Sequence, residues 1–117
     1  YISVSADIGP GFLIAHVGGI VVGGKTVIGK NCDIRQNVTF GGNFQRTDDE
    51  GRTQPVLQDE VSVGAGACIL GPVKIGRRAI IGANSVVTRD VPEETIASGI
   101  PAKVIKERWD SNSKRKL

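Results

Sequence analysis

An aliphatic residue recurs at every sixth position through the second half of this chain. The repeated residues are Leu57, Val63, Ile69, Ile75, Ile81 and Val87. A small or branched residue follows four positions after each of them, namely Val61, Ala67, Val73, Ala79, Ser85 and Val91. A period of six fits neither an α-helix, with about 3.6 residues per turn, nor a long β-strand, which alternates at every second residue. It predicts an all-β fold, a parallel β-helix in which each hexad supplies one short strand and one tight turn.

The first half of the chain keeps the same period with one interruption. Its repeated residues are Ile2, Ile8, Ile14 and Ile20, and then, after a two-residue slip, Val22, Ile28, Ile34 and Phe40. A strict solenoid tolerates extra residues only at a corner. The slip therefore predicts an irregular corner in this half.

Composition agrees with a narrow core of stacked aliphatic side chains. The chain has 117 residues, enough for one domain, and contains only one Trp, one Tyr, three Phe and no Met. Its 16 glycines favour tight turns. The net charge is +3, and the basic excess lies in the C-terminal tail. A basic face with interleaved aromatic residues, as nucleic-acid binding requires, is absent.

The two cysteines and the hydropathy pattern favour a cytoplasmic protein. Cys32 and Cys68 have neither metal-ligand nor redox-pair spacing, which is typical of packed thiols in a reducing compartment. No apolar run has the length of a membrane span, and no signal peptide precedes the repeats. Because the chain begins with Tyr already in register, we expect that residues upstream of Tyr1 are missing from it.

Three segments are predicted along the chain. Residues 1–91 form the β-helix, which is interrupted by a polar loop at 41–56, "GGNFQRTDDEGRTQPV". A loop of this length in a compact repeat is usually functional. Residues 92–109 form a closing segment, a short helix or strand that caps the core, and residues 110–117 form a basic, frayed tail.

The segment "ASGIPAKVI" near the C-terminus resembles the terminal A-x-G-x-P-A-K/R of the hexapeptide-repeat acyltransferases. That resemblance implies a left-handed β-helix and acetyl-CoA as the acyl donor, with no metal. Within the family the chain is most similar to the catalytic domain of serine acetyltransferases and to related sugar O-acetyltransferases. Serine acetyltransferases carry D-H-x-x-G-I-V-V followed by V-T-L-G-G, where this chain has "AHVGGIVV" and "VTFGG".

The resemblance assigns roles to individual residues. His16, the one histidine of the chain, falls on the catalytic histidine. The cofactor-binding residues it implies are Gly41 and Gly42 near the reactive end of coenzyme A, Ala65 and Ala83 along the pantetheine arm, and Gly99, Pro101 and Lys103 near the phosphates. It also implies a homotrimer in which each active site lies between two subunits.

The chain departs from serine acetyltransferases at the residues that bind the acceptor in that family. Ala15 stands where that family has an Asp, and Arg52-Thr53-Gln54 stands where it has an Arg-His pair that holds the amino acid's carboxylate. A further Asp that partners the histidine would fall at or before Tyr1. We therefore predict a carbohydrate hydroxyl of a capsule, exopolysaccharide or lipopolysaccharide as the acceptor, with serine as the alternative. Arg46 and Arg52 are candidate contacts to the acceptor or to a phosphate.

Acetyl transfer from a thioester to an alcohol needs a base for the hydroxyl proton and donors for the oxyanion. A neutral imidazole accepts a proton near pH 7, so His16 is predicted to be the general base in a direct attack. Backbone N–H groups near Gly41 and Gly42 are predicted to hold the oxyanion. No Ser or Cys stands in a nucleophile setting beside His16, so no acyl-enzyme is expected.

Two other kinds of protein share this repeat. A zinc-dependent carbonic anhydrase on this fold needs three histidine ligands between subunits, and one histidine per chain excludes it. An ice-binding solenoid would carry ranks of Thr on one face, which this sequence lacks. A non-catalytic scaffold stays possible, but it has no need of the polar loop or of "GIPAK".

Overall fold

The computed structural model describes residues 1–110 and 115–116, and all of its regular elements are β-strands. In chain order they are β1 (Asp7–Ile8), β2 (Leu13–Ile14), β3 (Val21–Val22), β4 (Val27–Ile28), β5 (Asp33–Ile34), β6 (Thr39–Gly41), β7 (Val56–Leu57), β8 (Ser62–Val63), β9 (Cys68–Leu70), β10 (Lys74–Ile75), β11 (Ile80–Ile81), β12 (Val86–Val87), β13 (Thr95–Gly99), β14 (Ala102–Glu107), β15 (Trp109–Asp110) and β16 (Arg115–Lys116). In the part of the chain described, no helix has the length and hydropathy needed to cross a membrane.

The strands form three faces of a prism. Face 1 stacks β1, β4, β7 and β10; face 2 stacks β2, β5, β8, β11 and β13; face 3 stacks β3, β6, β9 and β12, all in parallel. The chain visits the faces in the order 1, 2, 3 and climbs one level per circuit, which gives about five coils. The predicted parallel β-helix is confirmed.

The repeated aliphatic residues stack inside the prism. Those buried to 2% exposure or less are Val22, Ile28, Ile34, Phe40, Leu57, Val63, Ile69, Ile75, Ile81 and Val87. The residues four positions later, at the corners, are also buried, as the hexad pattern predicts: Thr26, Cys32, Val38, Val61, Ala67, Val73, Ala79 and Ser85. Burial raises the pKa of the Cys32 thiol, which donates a hydrogen bond to Gln58 O at 3.2 Å, so Cys32 is a packed residue.

Two buried hydroxyls at equivalent corner positions differ in their hydrogen bonding. Among the described residues Thr26 Oγ1 has no hydrogen-bond partner, whereas Ser85 Oγ accepts a hydrogen bond from the Gly99 backbone N–H at 3.2 Å. An unpaired buried hydroxyl costs about 1–3 kcal/mol, and Val has nearly the shape of Thr. Thr26→Val is therefore expected to raise the free energy of unfolding by about 1 kcal/mol, measured by urea denaturation.

Ser85→Ala is the matched control for Thr26→Val. It leaves the Gly99 N–H without its partner and is expected to lower the free energy of unfolding by about 1 kcal/mol. Equal effects of the two substitutions would contradict the assignment of Thr26 as the unsatisfied one.

The polar loop leaves the prism at the end of face 3. Because Gly41 belongs to β6 and Val56 to β7, the segment between strands is 42–55. The loop folds back along the prism: the Arg46 guanidinium donates a hydrogen bond to Thr88 O at 2.8 Å, two coils above the strand it left.

A β-hairpin closes the upper end of face 2. The strands β13 and β14 pair antiparallel, and Arg108 donates to Arg78 O at 2.7 Å. The closing segment is thus strand rather than helix. In the segment predicted as a frayed tail, β15 pairs with β16, and residues 111–114 and 117 lie outside the described residues.

Candidate active site

His16 lies on a two-residue bulge at the corner between face 2 and face 3. Before the bulge, Ala15 N donates to Ile34 O at 2.9 Å, which sets Ala15 beside Arg35 in the next coil. After it, Asn37 N donates to Gly18 O at 2.8 Å, just as Gly66 N donates to Gln36 O one coil higher. Gly18 therefore occupies the position of Gln36, and His16 and Val17 are the two extra residues.

This bulge corrects the register assigned to Ile20 from the sequence. Ile20 is not an inward strand residue but the buried corner residue of its hexad, at 8% exposure, two positions before inward Val22. The slip consequently lies between Ile14 and Ile20, and it contains the histidine.

Two glycines return the chain from the bulge to the regular helix. Gly18 and Gly19 have φ of 111° and 63°, in the region that side chains rarely adopt. A Cβ on Gly19 would also collide with the Asn37 side chain. The Gly18-Gly19 pair is therefore favoured by the backbone geometry that follows His16.

The bulge leaves both of its side chains in solvent. Val17 is 82% exposed, and His16 is exposed as well. Within residues 1–108, whose side chains are described, the imidazole makes no hydrogen bond or ion pair. It is thus free to accept a proton from a ligand.

Three predicted cofactor residues lie on the same corner as His16, which we call the His16 edge (residues 15–19, 35–37, 64–66, 82–84 and 98–99). Asn84 N donates to Ala65 O at 2.8 Å, which stacks the corners that contain Ala65 and Ala83. Gly99 lies above them through its bond to Ser85. The side chains of the three upper levels are small, so this part of the edge is a shallow, open track.

The hairpin brings a positive charge to the upper end of the track. Lys103 is the register partner of Ser98, and it is exposed. Pro101 lies in the tight turn between the two strands and is also exposed. The structure thus brings Gly99, Pro101 and Lys103 together at one end of the edge and His16 to the other.

The remaining predicted residues lie on a different edge of the prism. Gly41 pairs with Leu70 at the far end of face 3, and Gly42 begins the loop there. Arg52 is held within that loop, where it contacts Asp48 at 2.9 Å and Glu50 at 3.2 Å. A single chain therefore does not place Gly41, Gly42, Arg46 or Arg52 on the His16 edge.

The contacts of Arg52 explain its electrostatics. The Arg52 backbone N–H and guanidinium both donate to Asp48 and lower the pKa of that carboxyl, while hydrogen bonding to Asp48 and the charge of Glu50 raise the pKa of Arg52. Arg52 is thus occupied in ordering the exposed loop.

Arg35 is a charged residue of the His16 edge that the sequence analysis did not select. Its Nη1 contacts Asp33 Oδ1 at 2.9 Å and donates to Val63 O at 3.2 Å. The other oxygen of Asp33 accepts from Ser62 Oγ at 2.7 Å. The hexad register would have located it, since Arg35 follows inward Ile34 as Ala15 follows inward Ile14.

Other hollows lie away from this edge. A cavity of about 480 Å³ between faces 1 and 2 is lined by Arg78, Glu93, Glu94, Thr95 and Glu107. Arg78 there contacts Glu94 at 2.8 Å, so these charges already neutralise each other. No group of three or more His, Cys, Asp or Glu side chains within the described residues is arranged to hold a metal ion.

Comparison with known proteins defines the class. Residues 54–89 match the family described as bacterial transferase hexapeptide (six repeats). The chain belongs to the hexapeptide-repeat acyltransferases, and its β-helix is left-handed.

Within that family, this chain is similar to serine acetyltransferases. It is 43% identical over 103 residues to the serine acetyltransferase of Haemophilus influenzae, an alignment that covers 88% of this chain and 38% of the relative. The crystal structure of Neisseria gonorrhoeae serine acetyltransferase superposes with a TM-score of 0.84 at 38% identity, over 94% of this chain and 41% of that one. A serine acetyltransferase in complex with CoA superposes with a TM-score of 0.77 at 44% identity, over 86% of this chain and 40% of that one. The chain thus spans about two fifths of the length of the relatives it matches.

The prediction of a carbohydrate acceptor, and with it a role in polysaccharide biosynthesis, is wrong. Curated relatives at 43–46% identity are named serine acetyltransferases. The prediction depended on Ala15 and on Arg52-Thr53-Gln54. These departures therefore do not exclude serine as the acceptor.

Proposed function

We propose that this chain is the catalytic β-helix of an acetyl-CoA-dependent serine O-acetyltransferase, an enzyme of cysteine biosynthesis. The observation that carries the proposal is the bulge that displays His16 at one end of an edge bordered by Ala65, Ala83 and Gly99. The likeness to serine acetyltransferases supports both the donor and the acceptor.

The proposed reaction is a direct transfer. His16 takes the proton of the serine hydroxyl, the oxygen adds to the thioester carbonyl, and the tetrahedral oxyanion collapses with release of the coenzyme A thiolate. The imidazolium returns its proton to that thiolate, which leaves O-acetylserine and free coenzyme A. The histidine supplies the base, so the reaction needs no metal ion.

The donor is proposed to lie along the His16 edge. The small side chains of Ala65 and Ala83, together with Gly99, leave room for the narrow pantetheine arm. Lys103, beside Pro101 at the upper end, is positioned to meet a phosphate of coenzyme A.

We also propose that the active enzyme is a homotrimer. Gly41 and Gly42, the proposed oxyanion donors, lie on a different edge from His16, so a neighbouring subunit is the natural source of these N–H groups. The outer side of face 3 joins the two edges. Its four described strands present Val21, Thr39, Cys68 and Val86 there, none of which is charged. An uncharged surface of this kind suits a subunit contact.

The proposed location is the cytoplasm. Cys32 and Cys68 are both free thiols, as is usual in a reducing compartment.

Release of free coenzyme A from acetyl-CoA tests the proposed function. Wild-type protein is assayed with L-serine, with nucleotide-linked sugars and without an acceptor, and the acetylated product is identified by mass spectrometry. Serine-dependent release with formation of O-acetylserine supports the proposal. Release only with a sugar, or none above the rate without acceptor, contradicts it.

A further inference from the structure

The β13–β14 hairpin presents exposed aliphatic side chains at the upper end of the prism. Ile100, in its turn, is 74% exposed, and Val104 and Ile105, on β14, are 49% and 61% exposed. The strand order of face 2 makes β14 the last described strand of that sheet, beyond β13. Exposed apolar residues that occur singly need no explanation, but a cluster of them on one hairpin is typical of an interaction surface.

Cations accompany these aliphatic residues. Lys103 and Lys106, on the same strand, are both exposed. From Lys103 to Leu117 the sequence has six Lys and Arg residues and two acids, whereas the net charge of the whole chain is +3. The rest of the chain is therefore slightly acidic, and the positive charge is concentrated in the segment that begins with β14. We call Ile100 and residues 103–106 the hairpin patch.

The two lysines of the hairpin patch are not neutralised by the chain around them. The ion pairs formed within residues 1–108 include neither Lys103 nor Lys106. In the neighbouring hollow, by contrast, Arg77 and Arg78 are both paired with Glu94. The ammonium groups of the hairpin patch therefore keep their donors for an external anion.

An anionic membrane surface matches this combination of groups. Aliphatic side chains enter the boundary between lipid headgroups and acyl chains, while lysine ammonium groups meet the phosphates of anionic lipids. A nucleic acid would also attract the lysines, but single strands are held by aromatic side chains that stack on the bases. The exposed apolar residues of the hairpin patch are all aliphatic, which favours the lipid.

We propose that the hairpin patch docks this protein on a lipid surface rich in anionic phospholipid, with no part of the chain crossing it. The proposal goes beyond the proposed function and does not depend on the acetyl acceptor. His16 lies in the first coil, at the opposite end of the His16 edge from the hairpin. Docking through the hairpin patch therefore leaves the histidine bulge in the aqueous phase.

Co-sedimentation with lipid vesicles tests the proposal. The full chain is mixed with vesicles of phosphatidylcholine, or of phosphatidylcholine and phosphatidylglycerol in equal amounts, and the bound fraction is measured at low and high salt. Val104→Ser/Ile105→Ser removes the aliphatic contact, and Lys106→Glu reverses one charge. The matched control is Val4→Ser/Leu13→Ser, since Val4 and Leu13 are also exposed aliphatic residues but lie in the first coil.

Wild type is expected to bind phosphatidylglycerol vesicles at least about tenfold more tightly than phosphatidylcholine vesicles and to be released by high salt. Val104→Ser/Ile105→Ser should weaken binding about tenfold, because less apolar surface enters the lipid. Lys106→Glu should weaken it by about 10- to 30-fold, because two units of charge are lost. Val4→Ser/Leu13→Ser should bind as wild type does. Circular dichroism checks that each variant is folded.

Several results would overturn the proposal. They are no binding of wild type to either vesicle, equal binding to both, wild-type binding by the two hairpin variants, or an equal loss in Val4→Ser/Leu13→Ser. A DNA or RNA strand that displaces the protein from vesicles, and that Val104→Ser/Ile105→Ser binds as tightly as wild type does, would assign the lysines to nucleic acid instead. None of these results bears on serine acetylation, which release of coenzyme A measures separately.

Discussion

Replacing His16 with alanine is expected to lower serine-dependent release of coenzyme A by about 100- to 10,000-fold, the range that a general base contributes. The imidazole is exposed, makes no hydrogen bond within residues 1–108, and is not part of the core. The substitution should therefore leave the thermal midpoint and the affinity for coenzyme A near their wild-type values. Steady-state kinetics with acetyl-CoA and L-serine measure the loss.

Val17→Ala is the control for His16→Ala. Val17 lies on the same bulge, is 82% exposed and carries no group able to accept a proton. It should retain turnover within a few-fold of wild type. A His16→Ala protein that keeps more than about a tenth of the wild-type kcat/KM would show that another group takes the serine proton.

The sequence predicted the solenoid because each hexad corresponds to one strand and one corner of the prism. Each inward position, such as Ile69 or Ile81, must fill the narrow interior of the prism, and each corner position, such as Ala67 or Ala79, must fit a tight turn. These demands act locally and repeat, so six consecutive hexads suffice to specify the fold.

The register of the first coil could not be resolved from the same pattern. Ile20 lies six residues after Ile14 and satisfies the period, although it fills a corner. Only hydrogen bonds between coils, from Ala15 to Ile34 and from Asn37 to Gly18, distinguish a bulge at His16 from a slip after Ile20. A six-residue repeat does not specify which residues about twenty positions apart are paired between coils.

The sequence predicted the position of the cofactor-binding residues on the His16 edge better than the contacts of the polar loop. Ala65 and Ala83 are 18 residues apart, which is three hexads, so their common edge follows from the repeat itself. The loop has no period, and nothing in its sequence indicated that Arg52 would pair with Asp48 or that Arg46 would reach Thr88. The carbohydrate acceptor, which is wrong, was inferred from that loop and from Ala15.

Deleting both His16 and Val17 is expected to abolish His16-dependent turnover, a loss of about 100- to 10,000-fold, and to leave the β-helix folded. Ile8 pairs with Ile28, twenty residues on, whereas Leu57 pairs with Ile75, eighteen residues on, so the first coil exceeds the regular one by the two bulged residues. Joining Ala15 to Gly18 keeps the hydrogen bonds of both with the second coil and exposes no core side chain.

The measurement is a pair of thermal unfolding curves alongside the kinetics. The deletion should shift the midpoint by no more than about 5 °C, since it removes two exposed side chains and shortens a loop. A control deletion of Asn31 and Cys32 takes two residues from a regular corner, removes a fully buried side chain and breaks the stack of Ile34 upon Ile14. That control should fail to unfold cooperatively. If the two deletions destabilise the protein equally, the bulge is a structural part of the coil. The interpretation that its role is to expose the histidine would then be wrong.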